Sequence, residues 1–373
     1  MAATTAAGPP SPMRRRQEEG MVPLAQPLEL GDGGPYRARC CGPKIKRWQG
    51  CAACWAILYS VACLAAWLGQ HSLVFPSWAV EAQDPQGFTF DFDSEYGRGR
   101  KGVVQKQPFN HILTTDETPV VFFGGNAMEL YATQDLADIM LLSLGGLGGL
   151  PQSYASYSTS YPGYPPNSGW PSRSSITQDG VALFDLALAN MTNPAYPGLQ
   201  RVIVGGWSLG CAAALQVASQ RPELVAGVLL LSPWSTLAEE TRAFVGGLGS
   251  VLLWPVSWAM GLDPWDSLAA VASLPADVPV AILSPQDDTM IPHSQHRAVF
   301  EASNAHRISV PEHWCSRRVL IPVPDAGHQS WGAMAIALKT PGMEDPSGST
   351  ALQWAKDVCE RLPRCGALTS VFA

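Results

Sequence analysis

The stretch that decides the fold is Arg201–Ala214, which runs RVIVGGWSLGCAAA. Its first half is apolar and β-branched, which predicts a strand, and its alanine-rich second half predicts a helix. Between them lies a Gly-x-Ser-x-Gly pentapeptide with Ser208 at its centre. We expect glycine to be required at both ends, because a Cβ on Gly206 or Gly210 would collide where strand and helix cross. This is the pattern of a nucleophile elbow, a sharp turn that exposes one serine hydroxyl beside a helix N-terminus.

Two later segments offer chemical partners for this serine. A strand-like run at Val278–Ser284 leads into a loop with Asp287 and Asp288, and a second strand-like run leads to His328. A histidine beside the serine could accept its proton, while a carboxylate could fix the imidazole tautomer and stabilise the imidazolium. The chain order Ser, Asp, His is that of open α/β sheets with a nucleophile elbow, and it differs from the orders of the serine-protease folds.

These motifs resemble the alpha/beta-hydrolase superfamily, in particular its membrane-anchored alpha/beta hydrolase domain-containing serine hydrolases. The resemblance extends over about residues 103–328. In that family the acid stands four residues before a proline, as Asp288 stands before Pro292, so the resemblance implies a triad of Ser208, Asp288 and His328. The neighbouring aspartate is the alternative acid. The implied fold class is α/β, with a mostly parallel sheet, helices on both faces and a small cap insertion, behind a single N-terminal transmembrane helix.

A third segment, Val120–Ala127 (VVFFGGNA), resembles the strand and oxyanion loop that this family usually writes His-Gly-Asn-Ala. By that correspondence, the backbone N–H groups of Asn126 and Leu209 form the oxyanion hole. Gly124 stands where the family usually has histidine, and whether this departure alters the oxyanion hole stays open. The stretch Tyr161–Ser172 resembles the family's loop before the elbow strand, which we expect to shape the pocket mouth and to do no chemistry.

An apolar segment near the N-terminus predicts a membrane anchor. The run Cys51–Gly69 carries no charge and is long enough to cross a hydrocarbon core as a helix. Basic residues lie just before it, whereas the first charged residues after it are Glu81 and Asp84. The positive-inside tendency therefore predicts a single-pass membrane helix at 48–70, a cytosolic N-terminus and a hydrolase domain that is lumenal or extracellular.

The charge is divided along the chain. Residues 1–47 hold 8 of the 24 Lys and Arg residues but only 4 of the 31 Asp and Glu residues, which leaves an acidic remainder. An acidic catalytic part argues against a nucleic-acid partner. The tail 1–47 is rich in Pro, Gly and Ala and is predicted to be disordered. Cys40 and Cys41 are candidates for S-acylation beside the membrane, with free cytosolic thiols as the alternative.

A second charge-free run, Ala243–Leu262, lies between Ser208 and Asp288. A single membrane crossing there would place the nucleophile and the acid on opposite sides of the bilayer. We therefore expect a cap over the pocket at about 238–266, whose apolar side chains would bind apolar parts of a substrate.

The remaining polar residues suggest modification but no metal or other cofactor. No histidines pair beside a glutamate, and the Cys-x-x-Cys sequence lies inside the apolar run. Asn190 begins an N-glycosylation sequon that is usable only in a lumenal domain, where one disulfide could also form among Cys315, Cys359 and Cys365. The other distal histidines are expected at the surface: His293, His296, His306 and His313.

The predicted organisation is a tail at 1–47, a transmembrane helix at 48–70, a linker with first core segments at 71–101 and an alpha/beta-hydrolase domain at 102–365. Within this domain Ser153–Pro171 is rich in Ser, Tyr, Pro and Gly and is expected to be a long loop. Six runs are expected to form strands, near Gly102–Phe109, Val120–Phe123, Arg201–Gly205, Val225–Leu231, Val278–Ser284 and Val319–Val323.

Together these features predict a membrane-anchored serine hydrolase that cleaves ester or thioester bonds through an acyl-enzyme. The expected partners are the membrane and a lipid or acylated small-molecule substrate, an expectation that rests on the apolar anchor and cap. The alternatives are a catalytically silent hydrolase fold that serves as a membrane scaffold or receptor, and a serine peptidase.

Overall fold

The computed structural model describes residues 52–62, 64, 75–80, 88–107, 118–145, 154–190, 201–240, 242–243, 246, 265–304, 318–339 and 351–362. The chain divides into two compact units at residue 55, and the elements below belong to the second unit, 56–373. The predicted disordered tail, Cys40 and Cys41 lie outside the described residues, as does most of the predicted cap at 238–266.

One sheet organises the second unit. Its strands are β1 (Phe88–Ser94), β2 (Gly97–Gln107), β3 (Thr118–Phe123), β4 (Tyr154–Thr159), β5 (Val202–Trp207), β6 (Val225–Leu231), β7 (Val280–Pro285) and β8 (Arg318–Val323). They form an eight-stranded sheet in the order β1-β2-β4-β3-β5-β6-β7-β8. The β1–β2 and β2–β4 pairs are antiparallel, and every other neighbouring pair is parallel. The parallel strands therefore present their carboxyl ends along one edge.

The central strands are buried on both faces, as continuous apolar sequences in a parallel sheet require. In β3, Val121 and Phe123 pack into one hydrophobic core, whereas Val120 and Phe122 pack into a second core. Successive side chains of a strand point to opposite faces, so each of the strands β3 to β8 supplies both cores. The sheet needs helices on both sides to keep these side chains from water.

Seven helices supply this cover among the described residues: α1 (Leu130–Gly145), α2 (Arg173–Asn190), α3 (Leu209–Gln220), α4 (Ser267–Ala272), α5 (His293–Ser303), α6 (Trp331–Lys339) and α7 (Ala351–Arg361). Short 3-10 turns lie at Ser77–Ala79 and Pro222–Leu224. Helices α2, α3, α4 and α5 pack into one core, and α1, α6 and α7 pack into the other. The predicted α/β fold, with a mostly parallel sheet and helices on both faces, is confirmed.

The predicted long loop at Ser153–Pro171 is wrong in its first part, because Tyr154–Thr159 forms β4 within the sheet. Its sequence, YASYST, consists of Tyr, Ser, Ala and Thr and contains no apolar run. All of its residues are buried because β4 lies between β2 and β3 and because helices α1 and α2 pack against it. The tertiary structure therefore overrides its weak local signal. The hairpin of β1 and β2 begins within 71–101, the range predicted to hold a linker and first core segments.

The predicted transmembrane helix at 48–70 is described only in part. Residues 52–62 and 64 are helical. Across the ranges that the structure describes, no helix is both long enough and apolar enough to cross a bilayer. Membrane anchoring stays a prediction.

Three further residues singled out by the sequence can be placed. Asn190 is exposed at the end of α2, and the other sequon residues lie outside the described residues. Cys359 in α7 is disulfide-bonded to a partner that also lies outside them. Cys211, directly after the elbow, is fully buried with a free thiol and serves as a small apolar side chain.

Candidate active site

Ser208 lies in the turn that joins β5 to α3. Its backbone has φ 55° and ψ −118°, a combination that residues with a side chain rarely adopt. Neighbouring backbone holds this turn in place. The Ser208 N–H donates to Leu231 O at the end of β6 at 2.9 Å, and the Cys211 N–H donates to Ser208 O at 3.0 Å. The serine is thus fixed at the carboxyl edge of the sheet with its side chain partly exposed.

The steric conflict predicted at the elbow glycines is present. A Cβ added to Gly206 would lie closer than 3.0 Å to the backbone of Gly210 and Cys211. A Cβ added to Gly210 would lie closer than 3.0 Å to the carbonyl oxygens of Phe123 and Gly124. These obstacles are backbone atoms that cannot rotate away, so glycine is required at both positions for β5, α3 and the end of β3 to meet.

His328 lies between Ser208 and Asp288. Its Nε2 is 3.1 Å from Ser208 Oγ, and its Nδ1 is 2.7 Å from Asp288 Oδ2. Both Asp288 and His328 are buried, at 6% and 8% exposure. Asp287 is exposed on the same loop, and its backbone N–H donates to Ala326 O. The geometry therefore brings together Ser208, His328 and Asp288, and it leaves the neighbouring aspartate at the surface.

The loop after β7 keeps Asp288 ionised and fixed. The second carboxylate oxygen, Oδ1, accepts hydrogen bonds from the Met290 N–H at 2.9 Å and the Ile291 N–H at 2.8 Å. Burial works against the charged form, but the hydrogen bonds from His328 and Ile291 and the nearby imidazole charge outweigh it, and the pKa of Asp288 is lowered. A carboxylate with a lowered pKa can stabilise an imidazolium at neutral pH.

Trp207, the residue before the serine, supports the histidine loop, a role that the sequence analysis missed. Its indole Nε1 donates to His328 O at 3.1 Å, and its ring centroid lies 5.0 Å from that of the imidazole. Trp331 packs edge-on against the indole at 5.1 Å. A Cβ on Gly125 would overlap the indole, so glycine lets the oxyanion loop approach it closely. The only sequence signal for this role is the position of Trp207 inside the pentapeptide.

The predicted oxyanion loop follows β3 directly. Asn126 is exposed there, and Leu209 is the first residue of α3, where a backbone N–H has no acceptor within the helix. At Gly124, where the resemblance implies histidine, an added Cβ would lie closer than 3.0 Å to Thr133 Oγ1. Thr133 is itself buried and donates to Glu129 O at 3.0 Å. A side chain at position 124 would therefore have to displace the Thr133 hydroxyl from its hydrogen bond to Glu129 O.

Two buried tyrosines tie down this loop, and both lie in the segment expected to do no more than shape the pocket mouth. The Tyr161 hydroxyl donates to Gly124 O, and the Tyr164 hydroxyl donates to Asn126 Oδ1 at 2.7 Å. Their rings pack edge-on with centroids 5.7 Å apart. Burial raises the pKa of both phenols, so both remain hydrogen-bond donors. No local sequence pattern indicates these contacts, because they join residues that are distant along the chain.

His296 was predicted to lie at the surface, and this prediction is wrong. Its side chain is fully buried, because it lies on the face of α5 that packs against β7. Its Nδ1 lies 2.9 Å from Ser284 Oγ, and its Nε2 lies 3.9 Å from Asp288 Oδ2. Burial lowers the pKa of His296 to about 4, so the ring is neutral at pH 7. His293, one turn earlier on α5, is half-buried.

A second carboxylate lies close enough to act on the site electrostatically. Glu240 Oε2 accepts a hydrogen bond from Gln295 Nε2 at 2.9 Å, while Gln295 Oε1 accepts from the Ser235 N–H and hydroxyl, each at 3.0 Å. Burial raises the pKa of Glu240, and the charges of His328 and Asp288 also act on it. Within the described ranges, no three His, Cys, Asp or Glu side chains converge as ligands for a metal ion.

Replacing Gly210 with alanine should destabilise the fold by about 1–3 kcal/mol, because the new methyl group would overlap backbone oxygens at the elbow. Gly332→Ala is the matched control, since Gly332 lies in α6 where a Cβ meets open space. Alanine there should be neutral or slightly stabilising. Urea unfolding of both variants measures the difference, and equal free energies of unfolding would contradict the close crossing.

Burial of neutral His296 should make the folded chain sensitive to mild acid. Because the pKa of His296 falls from 6.5 to about 4 on folding, the unfolded chain binds an extra proton as the pH drops through this interval. Stability should therefore fall by up to roughly 3 kcal/mol between about pH 6.5 and pH 4. His296→Gln should flatten this part of the dependence in urea unfolding curves, whereas Ser294→Ala, an exposed change on the same helix, should not. An unchanged slope in His296→Gln would refute the assignment.

Comparisons with known proteins bear on the fold alone. No protein-family model and no curated protein matches the chain. Among solved structures, Est1E from Butyrivibrio proteoclasticus is 12% identical with a TM-score of 0.44, over 68% of this chain and 96% of that chain. An esterase from Pyrococcus furiosus is 14% identical with a TM-score of 0.46, over 67% of this chain and 88% of that chain. A thermophilic esterase from Thermogutta terrifontis is 15% identical with a TM-score of 0.42, over 67% of this chain and 94% of that chain. At these identities and TM-scores, the comparisons assign neither a family nor an activity to this chain.

Proposed function

We propose that the chain is a serine hydrolase that cleaves carboxylic ester bonds through an acyl-enzyme formed on Ser208. The observation that carries this proposal is the hydrogen-bonded line from Ser208 Oγ through His328 to Asp288, with 3.1 Å at Nε2 and 2.7 Å at Nδ1. Serine is a weak nucleophile until a base within hydrogen-bond reach removes its proton, and here a third group orients that base.

In the proposed reaction, His328 Nε2 takes the proton of Ser208 as Oγ attacks the carbonyl carbon of the ester. The Asp288 carboxylate accepts the hydrogen bond from His328 Nδ1–H and stabilises the imidazolium, in keeping with the lowered pKa of Asp288. The backbone N–H groups of Asn126 and Leu209 hold the oxyanion of the tetrahedral intermediate. The proton on Nε2 then passes to the leaving alcohol, which leaves the acyl group on Ser208.

Hydrolysis of the acyl-enzyme uses the same groups in reverse roles. His328 Nε2 removes a proton from water, and the resulting hydroxide attacks the acyl carbonyl. The oxyanion is held again by the same two N–H groups. Collapse of the intermediate returns the proton to Ser208 Oγ and releases the acid. No cofactor takes part in either half of this scheme.

The proposed substrates are lipid-like or acylated small molecules, with thioesters as a second bond type. Support comes from the charge-free run at 243–262, which falls in the predicted cap, and from Met290, an apolar side chain that is 52% exposed next to Asp288. The proposed membrane anchor at 48–70 would hold the site close to such substrates. The disulfide at Cys359 favours an oxidising compartment, in keeping with the proposed lumenal or extracellular domain.

The wild-type protein in membranes should react covalently with a fluorophosphonate probe, and Ser208→Ala should not. Hydrolysis of a series of carboxylic esters and thioesters of increasing chain length should fall by at least about three orders of magnitude in Ser208→Ala and His328→Ala. In-gel fluorescence measures the labelling, and release of the acid measures turnover.

The two adjacent aspartates provide a matched control for the site. Asp288→Asn should lose activity by orders of magnitude, whereas Asp287→Asn should retain it, because only the Asp288 carboxylate contacts His328. An unlabelled wild-type protein with a normal unfolding transition would favour the silent scaffold instead. Equal losses in the two asparagine variants would contradict the assignment of the acid.

Tyr161→Phe should lower kcat/KM about tenfold and leave the fold intact. The change removes the hydroxyl that donates to Gly124 O, so the loop that carries the Asn126 N–H loses one tether near the oxyanion. Tyr96→Phe, at a tyrosine that is 52% exposed, is the control and should have no effect. Ester turnover at fixed pH measures both variants, and full activity in Tyr161→Phe would show that the tether is not needed.

A further inference from the structure

A row of polar side chains leads from Asp288 to the surface. His296 Nε2 lies 3.9 Å from Asp288 Oδ2, and His296 Nδ1 lies 2.9 Å from Ser284 Oγ. The same hydroxyl oxygen lies 2.7 Å from His293 Nδ1, and His293 Nε2 lies 3.3 Å from Arg297 Nη2. Ser284 and His296 are fully buried, His293 is half-buried and Arg297 is exposed.

The chemistry of the outermost group sets the direction of the protons in this row. Arginine can only donate, so the Arg297 contact makes His293 Nε2 an acceptor and leaves the proton of a neutral His293 on Nδ1. That N–H donates to Ser284 Oγ, and the single hydroxyl proton of Ser284 is then directed at His296 Nδ1. A neutral His296 whose Nδ1 accepts must carry its own proton on Nε2, the nitrogen that faces Asp288.

One contact competes with this direction. Gln286 Nε2 lies 3.1 Å from His293 Nδ1 and could donate to it, but it already donates to Ser284 O at 2.8 Å, and its second hydrogen can reach Ser284 Oγ at 3.5 Å. Electrostatics at the other end of the row favours the same tautomer. A bare lone pair on His296 Nε2 would face an ionised carboxylate and be repelled, whereas an N–H would be attracted.

His296 Nε2 is otherwise unsatisfied. It is buried and has no hydrogen-bond partner among the residues described, so the carboxylate of Asp288 is the group that its N–H can stabilise. The ring is neutral at pH 7, so it supplies a directed N–H dipole and does not neutralise the carboxylate. The other ionisable groups around the row are His328, which shares Asp288 with it, His293, Arg297 and, more distantly, Glu240.

We propose that His296 is a positioning residue for Asp288. At 3.9 Å its Nε2–H is too far from Oδ2 for a hydrogen bond, and it stabilises the carboxylate electrostatically in the position that His328 Nδ1 requires. Ser284 fixes the tautomer that makes this possible. The inference rests on the proposed function, because it extends the triad Ser208, His328 and Asp288 by one residue. The proton on Nε2 of His296 can be detected whether or not the protein is active.

The first arm of the test reads that tautomer directly. Full-length protein labelled with ¹⁵N-histidine is examined by long-range ¹H–¹⁵N NMR near pH 7.5, and the His296 signals are assigned by their loss in His296→Gln. The proposal expects the proton on Nε2 in the wild type and a loss of this preference in Ser284→Ala. A proton on Nδ1 in the wild type would overturn it, whatever the protein catalyses.

The second arm measures the rate of fluorophosphonate labelling as a function of pH. His296→Met removes the N–H and should slow labelling about 10-fold to 100-fold. It should also move the acidic limb of the profile to higher pH, because loss of the positive end of the dipole makes protonation of the neighbouring groups easier. His296→Gln, which retains an N–H donor, should stay within about threefold of the wild type, as should His293→Gln at the surface end. Equal slowing in His296→Met and His296→Gln, with an unmoved limb, would show a packing role only and overturn the proposal.

The two arms separate the possible failures. If the wild type is folded but unlabelled while NMR places the proton on Nε2, the proposed hydrolase function fails and the positioning role falls with it, although the tautomer stands. If labelling depends on Ser208 while NMR places the proton on Nδ1, the hydrolase function stands and only the role of His296 is overturned.

Discussion

The close crossing of β5, α3 and the end of β3 is the constraint on which the rest of the site depends. Gly210 comes so near the carbonyl oxygens of Phe123 and Gly124 that no side chain fits between them. This contact forces Ser208 into its unusual backbone conformation at the start of α3. It also brings the loop after β3 against the N-terminus of that helix. Nucleophile and candidate oxyanion donors are therefore neighbours as a consequence of one backbone contact.

The site buries several polar side chains, and each is held by partners drawn from the fold itself. Asp288 is bound by two backbone N–H groups of its own loop, and His328 is held through its carbonyl by Trp207. A buried charge without such partners would cost several kcal/mol. The same contacts fix the geometry of the line from Ser208 to Asp288. Stability of the loops and orientation of the reactive groups are thus provided by the same hydrogen bonds.

The parts predicted well from the sequence are those with a strong local signal. The elbow is a short motif with obligatory glycines, and the central strands are short apolar runs of the kind typical of buried strands. Strand β4 could not be predicted, because YASYST has no apolar pattern and is buried only through its neighbours. The surface position predicted for His296 is wrong because its burial depends on which face of α5 packs against β7, and the sequence does not show this. Asp287 and Asp288 are adjacent on one loop, and the sequence does not show which of them faces the histidine, because that depends on how the loop turns. The choice of Asp288 therefore depends on the resemblance.

The loop after β3 is anchored by side chains from a distant part of the chain. The Thr133 hydroxyl occupies the space that a side chain at position 124 would need, so a larger residue there would break the bond of that hydroxyl to Glu129 O. The Gly124 carbonyl accepts a hydrogen bond from the Tyr161 hydroxyl, and the side chain of Asn126 accepts one from the Tyr164 hydroxyl. Both tyrosines lie within five residues of the end of β4, so their position depends on a strand that the local sequence does not reveal. The segment with the weakest sequence signal therefore supplies an interior strand of the sheet and two tethers of the candidate oxyanion loop.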